Sequence, residues 1–160
     1  MIKINVLFVC MGNICRSSTA EAVFRYYVAA SGLSRYIVAD SAATHAYHIG
    51  NAPDPRSQRH AARRGFDLSA LRARQVAAVD YERFDYVLAM DEDNLALLEH
   101  HCPPAHAAKL ALFMRYSEKG EATGVPDPYN GGTPGFEQVL DMVEDAAQGL
   151  LRHIRERHAL

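Results

Sequence analysis

Ile2-Lys3-Ile4-Asn5-Val6-Leu7-Phe8-Val9-Cys10-Met11-Gly12-Asn13-Ile14-Cys15-Arg16-Ser17-Ser18 begins as a strand, passes through a turn and enters a helix. Ile2 to Val9 is apolar and rich in β-branched residues, broken only by Lys3 and Asn5, so it reads as a buried strand. Ser17 to Ala30 carries Val23, Tyr26, Tyr27 and Ala30 at helical spacing. Ser17 and Ser18 are N-cap residue types, and Glu21, three positions after Ser18, fits a capping box. The segment between them is a strand-to-helix loop. Such loops turn backbone N–H groups and the positive end of a helix toward one point. Gly12 accepts positive φ freely, and Asn13 does so better than most residues.

Met11, Gly12, Asn13, Ile14, Cys15 and Ser17 therefore form a phosphate-sized anion loop with Cys10 at its floor. Helix N-termini and cationic neighbours favour a thiolate over a thiol, which makes Cys10 a candidate nucleophile. Arg16 supplies a planar fork that binds two phosphoryl oxygens at once. The Ser17 hydroxyl is placed to donate to the sulfur. A cysteine ending a strand is ordinarily core; Gly, Asn, Arg and Ser at these spacings argue for the site instead. The nucleotide-binding pattern G-x-x-x-x-G-K-S/T is absent.

Outward from this unit, strand and helix patterns alternate. Tyr36 to Ser41 reads as a strand, His45 to Pro53 as a loop, and Asp54 to Arg64 as a helix stopped by Gly65. Asp85 to Met90 is a strand, and Asp91 to His101 a helix stopped by Pro103-Pro104. Lys109 to Met114 is a strand. Pro134 to His158 is a long amphipathic helix with Phe136, Val139, Leu140, Val143, Ala147, Leu150, Leu151 and Ile154 on its core face. The expected fold is α/β: a four-stranded parallel sheet with helices on both faces and the phosphate-binding loop after strand 1. Ligands in such sheets bind at the carboxyl ends of strands, where Cys10 stands.

A second chemical signal lies far along the chain. Val125-Pro126-Asp127-Pro128-Tyr129-Asn130-Gly131-Gly132 is a Pro/Gly-dense loop with an aspartate stiffened between two prolines. Hydrolysis of a phosphate ester needs an acid for the leaving oxygen, and Asp127 is the candidate. Tyr129 can stack on an aromatic substrate.

Cys10 to Ser17 together with Asp127-Pro128-Tyr129 resembles the low-molecular-weight protein tyrosine phosphatase family. Asp40-Ser41-Ala42, Ile49 to Arg56, Ala73-Arg74-Gln75 and Met90 to Leu95 also resemble family segments, in family order. The resemblance implies Cys10 as nucleophile, Arg16 as phosphoryl binder, and Asp127 as general acid and then base. It implies Ser17 as thiolate stabiliser, and Asn13 as a loop-shaping residue supported by Ser41. Met11, Ile14, Tyr47 and Tyr129 then line the substrate mouth. Several positions depart from the family's habit. Ser18 stands where Pro is frequent, Leu71 where a His often supports the loop network, Tyr47 where Trp is common, and Asn130 where a second Tyr is frequent. With Leu71 present, the supporting network is expected to be incomplete. Cys15 reads either as an apolar filler or as a resolving thiol for oxidised Cys10, and the resemblance favours the second.

At 160 residues the chain is expected to form one domain over 1–160. A net charge of −2 gives no reason to propose nucleic acid or a membrane as partner. No signal peptide or span-length apolar run is evident, and three cysteines, an odd count, fit a reducing cytoplasm. His100, His101, Cys102 and His106 cluster without metal-ligand pairing, and His45 and His48 read as rim residues, so neither a metal nor a cofactor is expected. The expected partner is a phosphotyrosine-containing protein, a bacterial tyrosine kinase being one such substrate, met by a monomer or weak dimer. Three rivals stand beside this reading. An arsenate reductase would relay a disulfide through more cysteines than the lone Cys102 beyond the loop. An arginine phosphatase is expected to carry a small Thr at the position of Ile14. A non-catalytic phosphate binder would have lost Cys10 or Asp127.

Overall fold

The computed structural model describes residues 3–120, 123–129 and 132–160. Its sheet has four parallel strands, β1 (Ile4–Cys10), β2 (Ile37–Ala43), β3 (Tyr86–Ala89) and β4 (Leu110–Leu112), in the order β2-β1-β3-β4. The helices are α1 (Arg16–Ala30), α2 (Pro55–Arg63), α3 (Asp80–Arg83), α4 (Glu92–His101) and α5 (Gly132–His158). Ile2, the expected first strand residue, and Asn130 lie outside the described residues.

β1 is apolar apart from Asn5, near its start, because both its faces are covered. Ile4, Val6, Phe8 and Cys10 face one core with Val23, Phe24 and the buried stripe of α5. Leu7 and Val9 face a second core with Tyr81, Phe84 and Leu98. The ring of Phe8 sits edge-on to Phe24 at 5.6 Å and to Phe113 at 5.1 Å between centroids. The chain leaves β1 toward β2 on one side and later places β3 on the other. The carboxyl end of β1 is thus the point where strand order reverses, the usual place for a ligand.

Four local expectations change. The expected strand over 109–114 pairs only as Leu110–Leu112, with 3₁₀ turns over Pro104–Lys109 and Phe113–Tyr116 on either side. Phe113 leaves the sheet because its ring is wholly buried against Phe8. A single-turn helix, α3, precedes β3 where no helix was expected. On α1 the buried stripe is Ala20, Val23, Phe24 and Val28, while Tyr26 and Ala30 lie exposed. Finally, α1 has no capping box: its N-cap is Cys15, with no side-chain cap bond. Ser17 and Glu21 are buried, and their side chains serve the loop instead.

Candidate active site

The loop between β1 and α1 is held from outside by its carbonyls. Thr44 N donates to Cys10 O at 2.9 Å, His45 N to Met11 O at 3.1 Å, and Asp54 N to Ile14 O at 2.8 Å. Cys15 O accepts from Thr19 N and from Thr19 Oγ1 at 2.6 Å. With those carbonyls engaged elsewhere, the amide side of the turn is left for an anion. The first turn of α1 adds its own N–H groups, with no acidic side chain to compete. Asn13 is the residue with positive φ, at 59°. Gly12 does not share it. A side chain at Gly12 would meet His48 Cδ2 at 2.9 Å, so glycine serves close packing here.

Cys10 lies buried at the end of β1. Its Sγ is 3.0 Å from Ser17 Oγ and accepts from Asn13 N at 3.2 Å. Asn13 Nδ2 donates to both Ser17 Oγ (2.8 Å) and Ser41 Oγ (2.9 Å), and Asn13 Oδ1 accepts from Arg74 N at 3.1 Å. Ser41 Oγ donates to Glu21 Oε1 at 2.7 Å. The network is therefore complete with Leu71 in place, contrary to expectation. Glu21 and the Arg74 amide close it at its two ends. Burial raises the Glu21 pKa, partly countered by the Ser41 hydrogen bond and by Arg25.

Arg16 is 3% exposed, and its guanidinium is oriented by the protein. Nη1 donates to Asp91 Oδ2 at 2.5 Å and to Val125 O at 3.0 Å, and Nη2 lies 3.9 Å from Asp127 Oδ2. Burial alone would lower the Arg16 pKa. The charges of Cys10, Asp91 and Asp127 outweigh it and hold the group above its ordinary value. Asp91 also caps α4 by accepting from Asn94 N, so one carboxylate fixes both a helix start and the arginine. Val125 N donates to Met90 O at 2.7 Å, and Gly124 packs on Asp91, which bring the Asp127 loop to the end of β3. Asp127 Oδ1 accepts from Tyr129 N at 3.0 Å.

These groups converge on a cavity of about 240 Å³ whose walls include Cys10, Ile14, Cys15, Arg16, Asp127 and Tyr129. Met11, Gly12, Tyr47 and His48 complete its rim. Tyr47 is exposed and stacks on His45 at 5.1 Å. Asn13, Ser17 and Ser41 lie beneath the loop rather than in the cavity. Burial pushes the Cys15 thiol up to about 12, against a lowering hydrogen bond with Ser57, and nearby Asp54 adds to the rise.

Sequence reading missed Asp91, Glu21, Arg74 and Asp54 as supports. Asp91 and Asp54 stand out as helix starts and as members of family-like segments, without a role of their own. The spacing of Glu21 from Ser18 fits a cap, and Arg74 acts on Asn13 through its backbone. Among the described residues, no group of three or more His, Cys, Asp or Glu side chains could hold a metal ion.

The chain matches, over residues 5–160, the family described as low molecular weight phosphotyrosine protein phosphatase. It is 43% identical to the low molecular weight phosphotyrosine protein phosphatase of Schizosaccharomyces pombe, over 95% of this chain and 97% of that protein. It is 39% identical to the low molecular weight protein-tyrosine-phosphatase YfkJ of Bacillus subtilis, over 98% of this chain and 99% of that protein. The crystal structure of protein tyrosine phosphatase from Entamoeba histolytica with Hepes in the active site superposes with a TM-score of 0.94 at 37% identity. That match covers 99% of this chain and 100% of the other.

Proposed function

The chain belongs to the low molecular weight phosphotyrosine protein phosphatase family, and on that premise we propose how its residues divide the reaction. The protein is a protein-tyrosine phosphatase, and its substrates are phosphoproteins. Cys10 is the nucleophile, Arg16 the phosphoryl binder and Asp127 the general acid and base. The observation that carries this division is the convergence of Cys10, Arg16 and Asp127 on one cavity, with Arg16 already pinned by Asp91 and Val125 O.

Cys10 sulfur attacks phosphorus opposite the tyrosyl oxygen. The P–O bond breaks, and Asp127 delivers its proton to the departing oxygen. Charge on the equatorial oxygens is met by Arg16 and by the loop amides, a preorganised arrangement that needs no rearrangement as charge develops. The product is phosphocysteine and a free tyrosine side chain. Asp127, now a carboxylate, takes a proton from water. The water oxygen bonds to phosphorus, the S–P bond breaks, and phosphate leaves with the Cys10 thiolate restored. Ser17 and the Asn13 amide support that sulfur as both attacking and leaving group, from 3.0 and 3.2 Å.

Cys15 is the redox partner in this reading. Peroxide oxidises Cys10 to a sulfenic acid, and Cys15 sulfur displaces water from it to form a disulfide that an external thiol reduces. Support comes from the two cysteines sharing one cavity. The whole chain, 1–160, acts as one catalytic domain. The cytoplasm is the compartment that suits its free cysteines Cys10, Cys15 and Cys102. A bacterial tyrosine kinase is the partner class, with the family resemblance as support, and the enzyme works as a monomer or weak dimer.

The test is hydrolysis of a phosphotyrosine peptide in EDTA by wild type, Cys10→Ser and Asp127→Ala, with phosphoserine and phosphoarginine peptides alongside. Wild type turns over phosphotyrosine alone, Cys10→Ser is inactive, and Asp127→Ala loses about 10²–10⁴-fold. Faster turnover of phosphoarginine would replace the substrate assignment, and an active Cys10→Ser would remove the nucleophile.

A further inference from the structure

Arg56 lies outside the cavity wall, yet it joins the two loops that build the cavity. It is the second residue of α2. Its Nε and Nη2 donate to the Asp54 carboxylate at 3.1 and 2.9 Å, and its backbone N donates to Asp54 Oδ1 at 2.8 Å. Asp54 is buried, and its own N–H holds Ile14 O of the phosphate loop. On its other side the guanidinium lies over two rings, with Cζ 5.4 Å from the Tyr129 centroid and 4.8 Å from that of Phe136. Phe136 is buried on α5, with the His60 ring stacked 5.6 Å away. Tyr129 is half-exposed, and its backbone N–H donates to Asp127 Oδ1.

These contacts run unbroken from the phosphate loop to the acid: Ile14 O, Asp54, Arg56, Tyr129, Asp127. A guanidinium is the one side chain able to hold a carboxylate along its edge while offering its face to aromatic rings. We propose that Arg56 is a positioning residue for proton delivery: it holds Tyr129 against the Asp54-anchored start of α2 and thereby sets the aim of Asp127 at the leaving oxygen. The inference rests on the proposed role of Asp127 as general acid. Through Asp54 and Ile14, the same clamp fixes the acid's distance from the loop that binds the phosphoryl group.

The experiment is the dependence of kcat/KM on the acidity of the leaving phenol, from 4-nitrophenyl phosphate to phenyl phosphate. Acidic phenols leave without help, whereas phenol itself needs the proton. Asp127→Asn should steepen this dependence strongly. Arg56→Gln should steepen it in the same sense, losing about ten-fold more on phenyl phosphate than on 4-nitrophenyl phosphate. Arg56→Lys keeps a cation beside Asp54 and guards against a folding failure. It should steepen the dependence by a smaller factor, because an ammonium cannot span the carboxylate and both rings. A merely structural role would lower all substrates by one common factor. Parallel dependences for the folded Arg56 variants and wild type, with Asp127→Asn steep, overturn the clamp and leave Asp127 in place. A dependence in Asp127→Asn no steeper than in wild type overturns the role of Asp127, and the clamp with it.

Discussion

Cys15 sits five residues beyond Cys10 in the same turn, and its thiol stays protonated at neutral pH because burial pushes it up to about 12. It therefore does not compete with Cys10 for the phosphoryl group, and its proposed capture of an oxidised Cys10 requires the thiol to give up its proton to the departing sulfenic oxygen as the S–S bond forms. After brief peroxide treatment, wild-type activity should return on adding dithiothreitol, whereas Cys15→Ser should recover only a minor fraction. Equal recovery of the two would remove Cys15 from that role. At this scale the sequence disclosed the residues of the cavity better than the residues that support them. Cys10, Arg16 and Asp127, which line one cavity, were legible as candidates because a strand-end cysteine, a loop arginine and a proline-flanked aspartate are scarce residue types in telling surroundings. Asp91 is not, since an aspartate before a helix already has a sufficient reason as a cap. Glu21 was legible only wrongly: its spacing from Ser18 fits a cap, but the helix starts earlier and the carboxylate turns inward to Ser41. Asn13 was legible as one of two residues able to take positive φ. Gly12 was the more permissive of the pair, yet it went to steric clearance beneath His48.

α5 shows what one element needs in order to lie flush on its neighbours. Its buried stripe from Phe136 to Ile154 repeats at helical spacing and was readable without a structure. Gly149 was not readable in this way, because glycine within a helix carries no periodic signal. A Cβ there would stand 1.8 Å from Tyr116 O in the 3₁₀ turn after β4. Alanine is the better helix former by about 1 kcal/mol, but the clash is with backbone and cannot be relieved by a rotamer. Gly149→Ala should therefore destabilise the protein by about 1–3 kcal/mol net, seen as a lower midpoint in urea. A raised midpoint would mean that α5 slides to accommodate the methyl group. β4 was overextended in the sequence reading for a related reason. Phe113 and Met114 have strand-like composition, but their burial is achieved by turning off the sheet, a tertiary demand that local pattern cannot carry.

Across the whole molecule, α2 is strapped to α5 by Arg64, which reaches Glu137 (2.8 Å), Asp141 (2.9 Å) and Glu144 (2.5 Å). The Arg64 hydrogen bond holds the Glu137 carboxyl below its usual pKa, and His60 adds to the effect. A depressed carboxyl stabilises the folded state above its unfolded pKa of about 4.3 and loses that contribution as pH falls through the folded value. Arg64→Gln should therefore lower stability at pH 7 by roughly 0.5–1 kcal/mol, a modest figure because the carboxylates are partly exposed. Its effect should fade in acid below the folded value. A loss of equal size at both pH values in urea titrations would show that the arginine acts by packing alone. The parallel fold was legible from alternating strands and helices. The strap was not, because pairing across 73 to 80 positions leaves no trace in spacing.

β1 has a hydrogen-bonded neighbour on each side and a core on each face, and Cys10, the proposed nucleophile, is its last residue. Loops and end strands can open by small local excursions, but a strand so enclosed opens only when the whole molecule does. The chemistry therefore inherits the slowest motion in the protein. The exposed Tyr47 and Tyr129 stand at the rim, while the position of the Cys10 sulfur is erased only by unfolding itself.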